Sequence, residues 1–101
     1  MKLQKIIKSK AKGKKWSAYF CLCKGESCCD DSKKKVIHFG ATGYLDRTIG
    51  ATEEQQKSYR ARHASGKTAK PDTPNSLSYY ILWNTTSMQK NIELYKKRFN
   101  L

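Results

Sequence analysis

Two short apolar runs in the first half of the chain have the composition of β-strands. Residues 16–23 are aromatic and apolar with no charged side chain, which is typical of a largely buried strand. Residues 36–39 form a second run, which ends at Gly40. A polar loop joins the two runs, so we expect an antiparallel hairpin with a long tip.

The pattern changes to a helical one after residue 51. Thr52 and Gln55 have the spacing of a capping box, which predicts a helix from there to about Ala64. Asn75 or Ser76 can begin a second, short helix, because Asn and Ser side chains accept hydrogen bonds from the first free amides of a helix.

The last segment predicts an amphipathic helix. Thr86 and Gln89 offer a second capping box at its start. Four apolar side chains then recur at helical spacing: Met88, Ile92, Tyr95 and Phe99.

These elements predict one α+β domain. A small antiparallel sheet built before residue 41 is followed by two or three helices after residue 51. A chain of 101 residues can bury one modest core. The side chains that we expect to be mostly buried are Leu82, Trp83, Ile92, Tyr95 and Phe99.

The net charge of +13 is concentrated at the start of the chain, where residues 1–15 hold seven lysines and no acid. We therefore divide the chain into a basic N-terminal arm, 1–15, and a domain, 16–101. The arm can also form an edge strand, because lysines commonly guard sheet edges. Its candidate residues for binding a partner or a polyanion are Lys2, Lys5, Lys8, Lys10, Lys12, Lys14 and Lys15, with the apolar Leu3, Ile6 and Ile7.

Residues 39–46 contain a glycine pattern similar to the phosphate-binding turn of dinucleotide-binding proteins. Asp46 stands where the third glycine belongs, and Gly50 interrupts any following helix, so the pattern predicts a tight turn. His38 and His63 are expected to be packing residues, and no nucleophile elbow or phosphate loop is present. We expect a binding or structural protein without cofactor or small-molecule substrate, and not an enzyme.

Four cysteines lie within nine residues: Cys21, Cys23, Cys28 and Cys29. Four thiolates can bind zinc, but adjacent cysteines do not easily occupy two tetrahedral corners, so no metal is favoured. One or two disulfides are an alternative, with Cys21 or Cys23 joined to Cys28 or Cys29, because a bond between adjacent cysteines is strained. Free thiols are the third.

Aromatic side chains among so many basic residues could stack on nucleic-acid bases. They lie in apolar segments, so we expect them to form the core instead. These residues are Tyr19, Phe20, Tyr79, Tyr80 and Trp83. No apolar run approaches the roughly 20 residues of a membrane-spanning helix, and the start lacks the apolar stretch of a signal peptide, so we expect synthesis in the cytoplasm.

Spaced blocks along the chain are Lys14–Trp16, Val36–Gly40, Gly43–Asp46 with Thr48, Tyr59–His63, Ile81–Asn84 and Tyr95–Phe99. From Val36 to Phe99, this string resembles a family of small basic proteins of large nucleocytoplasmic DNA viruses. The resemblance implies a viral protein carried in the particle, and it supplies no activity. Such viruses often encode thiol oxidases, so the resemblance also favours disulfides.

The leading functional hypothesis is a minor structural protein of a large DNA virus. It would act in the virion as a clip or cement, binding capsid proteins through the basic arm and the compact domain, after synthesis in the host cytoplasm. The alternative is a virion protein that binds or packages nucleic acid, because a charge of +13 attracts polyanions. A soluble regulator of host proteins is the third hypothesis.

Overall fold

Three antiparallel strands form the N-terminal half of the molecule. The structure is a computed structural model, and it describes residues 1–21 and 34–101. The strands are β1 (Lys2–Lys8), β2 (Lys14–Cys21) and β3 (Lys34–Ala41), and they pair in the order β1-β2-β3. The predicted antiparallel sheet is confirmed, and the basic N-terminal segment forms one of its edge strands.

The pairing of β1 with β2 decides which face each side chain occupies. A register shift between Leu3 and Lys5 places Leu3 opposite Phe20 and Lys5 opposite Tyr19. Residues directly opposite one another share a face of the sheet. Leu3 and Phe20 therefore face the core, where both are buried, whereas Lys5 and Tyr19 lie on the outer face.

Three helices follow the sheet, as the sequence predicts. They are α1 (Glu53–Arg62), α2 (Pro74–Leu77) and α3 (Met88–Phe99). Helix α2 continues directly into a π-helical turn, Ser78–Leu82. Short 3-10 turns occupy Arg47–Ile49 and Ala64–Lys67. None of the helices among the described residues is long and apolar enough to cross a membrane.

The first of the predicted helix caps is confirmed. Thr52 accepts a hydrogen bond from the Gln55 amide, and the Gln55 side chain accepts one from the Thr52 amide. Thr73, instead of Asn75 or Ser76, caps α2, because Pro74 occupies the first helical position, where its missing N–H costs nothing.

The cap of α3 is also shifted from the predicted residue. Ser87 caps the helix by accepting from the Lys90 amide at 3.2 Å, and Thr86 with Gln89 does not form the predicted box. The reason is a side-chain contact of the folded chain. The amide and the hydroxyl of Thr85 donate to the side-chain oxygen of Asn91 in α3, and this contact fixes where the helix begins.

The core lies between one face of the sheet and the helices. Its fully buried side chains include Phe20, Phe39, Leu77, Ile81, Leu82 and Tyr95. Burial is thus confirmed for Leu82 and Tyr95. The other three expected residues, Trp83, Ile92 and Phe99, are only partly buried and pack against the border of this core.

Candidate functional site

An open groove of about 1180 Å³ lies where the sheet meets the helices. The beginning of β2, the end of β3, the loop at residues 43–46, helix α1 and the π-helical turn form its walls. Five of the six blocks noted in the sequence contribute residues to this groove, namely those at 14–16, 36–40, 43–46, 59–63 and 81–84. The groove is therefore the place where separate parts of the chain converge on one surface.

Three aromatic rings are stacked along one wall. The ring of Tyr59 lies between those of Trp83 and His63, with centroid distances of 4.3 Å and 4.1 Å and interplanar angles of 8° and 15°. Burial raises the pKa of the Tyr59 hydroxyl, and a hydrogen bond with the Ser78 side chain offsets part of this rise. Tyr59 is thus a neutral, anchored ring at the centre of the stack.

Polar contacts from α1 hold the Trp83 end of the stack in place. Gln56 Nε2 donates to the carbonyl oxygens of Trp83 at 3.1 Å and Asn84 at 2.6 Å. Arg60 also donates to the Trp83 carbonyl, and its guanidinium lies over the ring of Tyr79. These carbonyls follow the end of the π-helical turn, where intrahelical donors run out. The same bonds that satisfy the turn therefore fix the position of Trp83.

His63 is the exposed end of the stack. Its Nδ1 lies 3.0 Å from the Tyr59 carbonyl oxygen, which can only accept, so Nδ1 carries the hydrogen and donates it. This bond orients the imidazole parallel to Tyr59. His63 is exposed at the surface, and its ring packs against that of Tyr59. His38 is exposed as well, with its Nδ1 2.6 Å from Ser17 Oγ.

A loop that also lines the groove exposes Tyr44, which is 72% accessible. Beneath it lies a buried ion pair, in which Lys15 Nζ is 2.8 Å from Asp46 Oδ2. Lys15 Nζ also donates to the Tyr44 carbonyl oxygen at 2.5 Å. Asp46, only 1% exposed, accepts further bonds from the amide and hydroxyl of Thr48. Its carboxylate is thus fully engaged, and the predicted tight turn follows the end of β3, at residues 42–44.

Gly40 brings this loop close to the helices. Its φ of +80° is a conformation that L side chains rarely adopt, and a Cβ at this position would lie 2.9 Å from Leu82 Cδ1. A residue with a side chain would be strained at this φ and would displace the buried Leu82 side chain. Gly40 therefore permits the close contact between the end of β3 and the π-helical turn.

Six of the seven candidate lysines are exposed: Lys2, Lys5, Lys8, Lys10, Lys12 and Lys14. Within residues 1–21 and 34–101, none of the six forms an ion pair with a carboxylate. Lys15 differs, because its charge is used in the pair with Asp46. Lys5 Nζ lies 4.9 Å from the ring centroid of Tyr19, on the outer face of the sheet.

The three apolar residues of the basic arm have different environments. Leu3 is 4% exposed and belongs to the core of this chain. Ile6 is partly buried and packs against that core. Ile7 is 39% exposed. Of the three, Ile7 is therefore the one whose side chain is most available to a partner.

Three of the four cysteines, Cys23, Cys28 and Cys29, lie outside the described residues. Cys21 is buried at the end of β2 and is disulfide-bonded. The choice of its partner stays a prediction. In the part of the chain that the structure describes, no group of three or more His, Cys, Asp or Glu side chains is placed to hold a metal ion.

The sequence alone did not reveal the aromatic wall. Tyr59 and His63 both fall in the helix predicted from Thr52 to about Ala64, but no pattern indicated that Trp83 would stack with them. Among the five aromatics expected in the core, Phe20, Tyr79 and Tyr80 are buried, whereas Tyr19 and Trp83 are only partly so.

Comparison with known proteins gives one match. No curated protein and no solved structure matches the chain. The model of one family matches residues 4–63, which include most of β1, all of β2 and β3, the loop at 43–46 and helix α1. Because this match covers more than half of its length, the chain belongs to the family described as a family of unknown function, DUF5754.

Proposed function

We propose that this protein binds nucleic acid through the basic surface of β1 and the turn that follows it, and that it catalyses no reaction. The observation that carries the proposal is the set of six exposed lysines between residues 2 and 14, which have no carboxylate partner among the described residues. Lysines that neutralise phosphates release counterions, and this release drives sequence-independent binding.

The sheet gives these lysines a fixed spacing. A strand rises about 3.3 Å per residue, so Lys2 and Lys8 are roughly 20 Å apart along β1. Lys2 and Lys5 lie on the outer face of the sheet and Lys8, opposite Trp16, on the other face, so these lysines flank the free edge of β1 on both sides. Successive phosphates of one DNA strand are about 3.4 Å apart along the helix axis, so β1 is as long as several phosphates. Because β1 is hydrogen-bonded to β2, ordering these lysines costs less entropy on binding than ordering a free arm would.

Fluorescence anisotropy with a labelled oligonucleotide tests the proposal. We expect binding at low salt that an excess of unlabelled DNA reverses, and that polyglutamate at the same charge concentration reverses much less well. Equal competition by polyglutamate, or no binding at low salt, would contradict nucleic-acid binding as the function.

A second proposal is a minor structural role in the particle of a large DNA virus, with capsid proteins as partners. One observation favours it: β1 is an edge strand, and no strand among the described residues pairs with its outer side. Such an edge can accept a strand from another protein, and the exposed Ile7 would add apolar contact. In this role the protein would be made in the host cytoplasm and carried in the capsid.

Substitutions on the two edge strands test the structural role. Ile7 on β1 and Val36 on β3 are similarly exposed, at 39% and 41%. If β1 is the docking edge, Ile7→Ser should release the protein from purified particles, and the matched Val36→Ser should not. The same retention for both variants would contradict docking through β1.

A further inference from the structure

Two aromatic side chains, those of Tyr44 and His63, are exposed in the groove, although no other feature of the fold requires their exposure. Tyr44 is the most accessible large hydrophobic side chain of the described residues, at 72%. His63 ends the three-ring stack that it forms with Tyr59 and Trp83. Both residues line the same groove.

The His63 ring and the backbone that carries Tyr44 are held by defined contacts. The Tyr44 carbonyl accepts a hydrogen bond from Lys15, which is itself fixed by the buried Asp46. The His63 ring is fixed by its bond to the Tyr59 carbonyl and by contact with the Tyr59 ring. The His63 ring is therefore preorganised, and a flat ring that stacks on it need not order it first.

The charge of the groove favours an anionic ligand. Apart from the mutually neutralised Lys15 and Asp46, the charged residues that line it, within the described part of the chain, are Lys14, Arg62 and Glu54. Lys14 is exposed and lies on β2, the strand paired with β1. A polyanion that contacts Lys14 therefore reaches the groove as well.

We infer that the groove binds an unpaired base of single-stranded nucleic acid, stacked against His63 and Tyr44, with Lys14 and Arg62 contacting the flanking phosphates. This inference rests on the proposed nucleic-acid binding and names its substrate class. Histidine and tyrosine both stack on bases, and stacking tolerates any sequence because every base has a π-face. Bases in a duplex already stack on one another, so single strands are the better ligand.

Two oligomers of equal charge test the inference: a thymidine oligomer of about 12 nucleotides and an abasic oligomer of the same length. We expect the full-length protein to bind the thymidine oligomer at least fivefold more tightly. Tyr44→Ala and His63→Ala should each weaken binding to the thymidine oligomer roughly 5- to 100-fold and change binding to the abasic oligomer less than twofold. Tyr44→Phe, which keeps the ring, should restore the preference.

The control variant is Glu54→Gln, which removes the one unpaired carboxylate of the groove. It should strengthen binding to both oligomers, because it reduces repulsion of phosphates without touching the rings. Equal affinity of the wild-type protein for the two oligomers would overturn base stacking and leave nucleic-acid binding intact. Failure to bind either oligomer at low salt would overturn both proposals.

Discussion

Lys15 Nζ lies 2.8 Å from Asp46 Oδ2, and the two side chains are only 14% and 2% exposed. The pair joins the beginning of β2 to the loop that carries Tyr44, 31 positions along the chain. It therefore anchors one wall of the groove to the sheet.

Breaking this pair should destabilise the fold. Asp46→Asn leaves the Lys15 charge without its partner in a poorly solvated site, and we expect a loss of about 3–5 kcal/mol in the free energy of unfolding. Chemical denaturation measures it. The matched control is Asp72→Asn, which breaks the Lys35–Asp72 pair of the same length at a more exposed site, where the cost should be about 0–1 kcal/mol. Similar losses in the two variants would contradict the assigned role of Asp46.

An isosteric substitution of Asn91 should also lower the free energy of unfolding. Its side-chain amide donates to the carbonyls of Ile81 at 2.7 Å and Thr85 at 2.9 Å, and its oxygen accepts from the Thr85 amide and hydroxyl. Asn91→Asp places an acceptor against two carbonyl oxygens in a fully buried position. We expect a loss of about 3 kcal/mol or more, because two carbonyls lose their donor and a charge is buried.

Gln89→Glu serves as the control for Asn91→Asp. It makes the same change from amide to carboxylate two residues earlier, at an exposed position of α3. Its effect on the free energy of unfolding should be below about 0.5 kcal/mol. Comparable thermal melting of the two variants would show that the Asn91 hydrogen bonds are not structurally important.

The Lys35–Asp72 pair predicts a small dependence of stability on pH. The hydrogen bond from Lys35 holds the pKa of Asp72 below its usual value. A lowered folded-state pKa stabilises the fold above the unfolded value of about 3.9, and this contribution is lost as the pH falls through the folded pKa. Lys35→Gln should therefore cost up to about 1 kcal/mol near neutral pH and nothing in strong acid. A cost that persists in strong acid would contradict the electrostatic origin.

The sequence predicts the fold class well because the signals for it are local. The Thr52–Gln55 capping box depends only on two residues three positions apart. The apolar run that begins at residue 16 supplies most of β2 (Lys14–Cys21). The start of α3 was less predictable, because Thr86 and Ser87 are both suitable caps. The contact of Thr85 with Asn91 favours Ser87, and it exists only in the folded chain.

The candidate site was less predictable for the same reason. Trp83 meets Tyr59, and Lys15 meets Asp46, across long stretches of sequence, and no local pattern reports such pairs. The basic surface was predictable, because charge is read directly from composition. The rigidity of this surface was not predictable, because the same lysines could equally belong to a free arm or to an edge strand.

The central claim is that the lysines of β1 contact phosphates, and the salt dependence of DNA affinity measures such contacts directly. Each phosphate neutralised on duplex DNA contributes about −0.9 to the slope of log Kobs against log salt concentration. Replacing Lys2, Lys5 and Lys8 by Gln should therefore make the slope shallower by about 2.7. The matched triple variant of the exposed Lys90, Lys96 and Lys97 on α3 removes the same charge and should change the slope by less than about 1. Equal changes in the two variants would show that binding follows net charge alone and would contradict the assignment of β1 as the nucleic-acid surface.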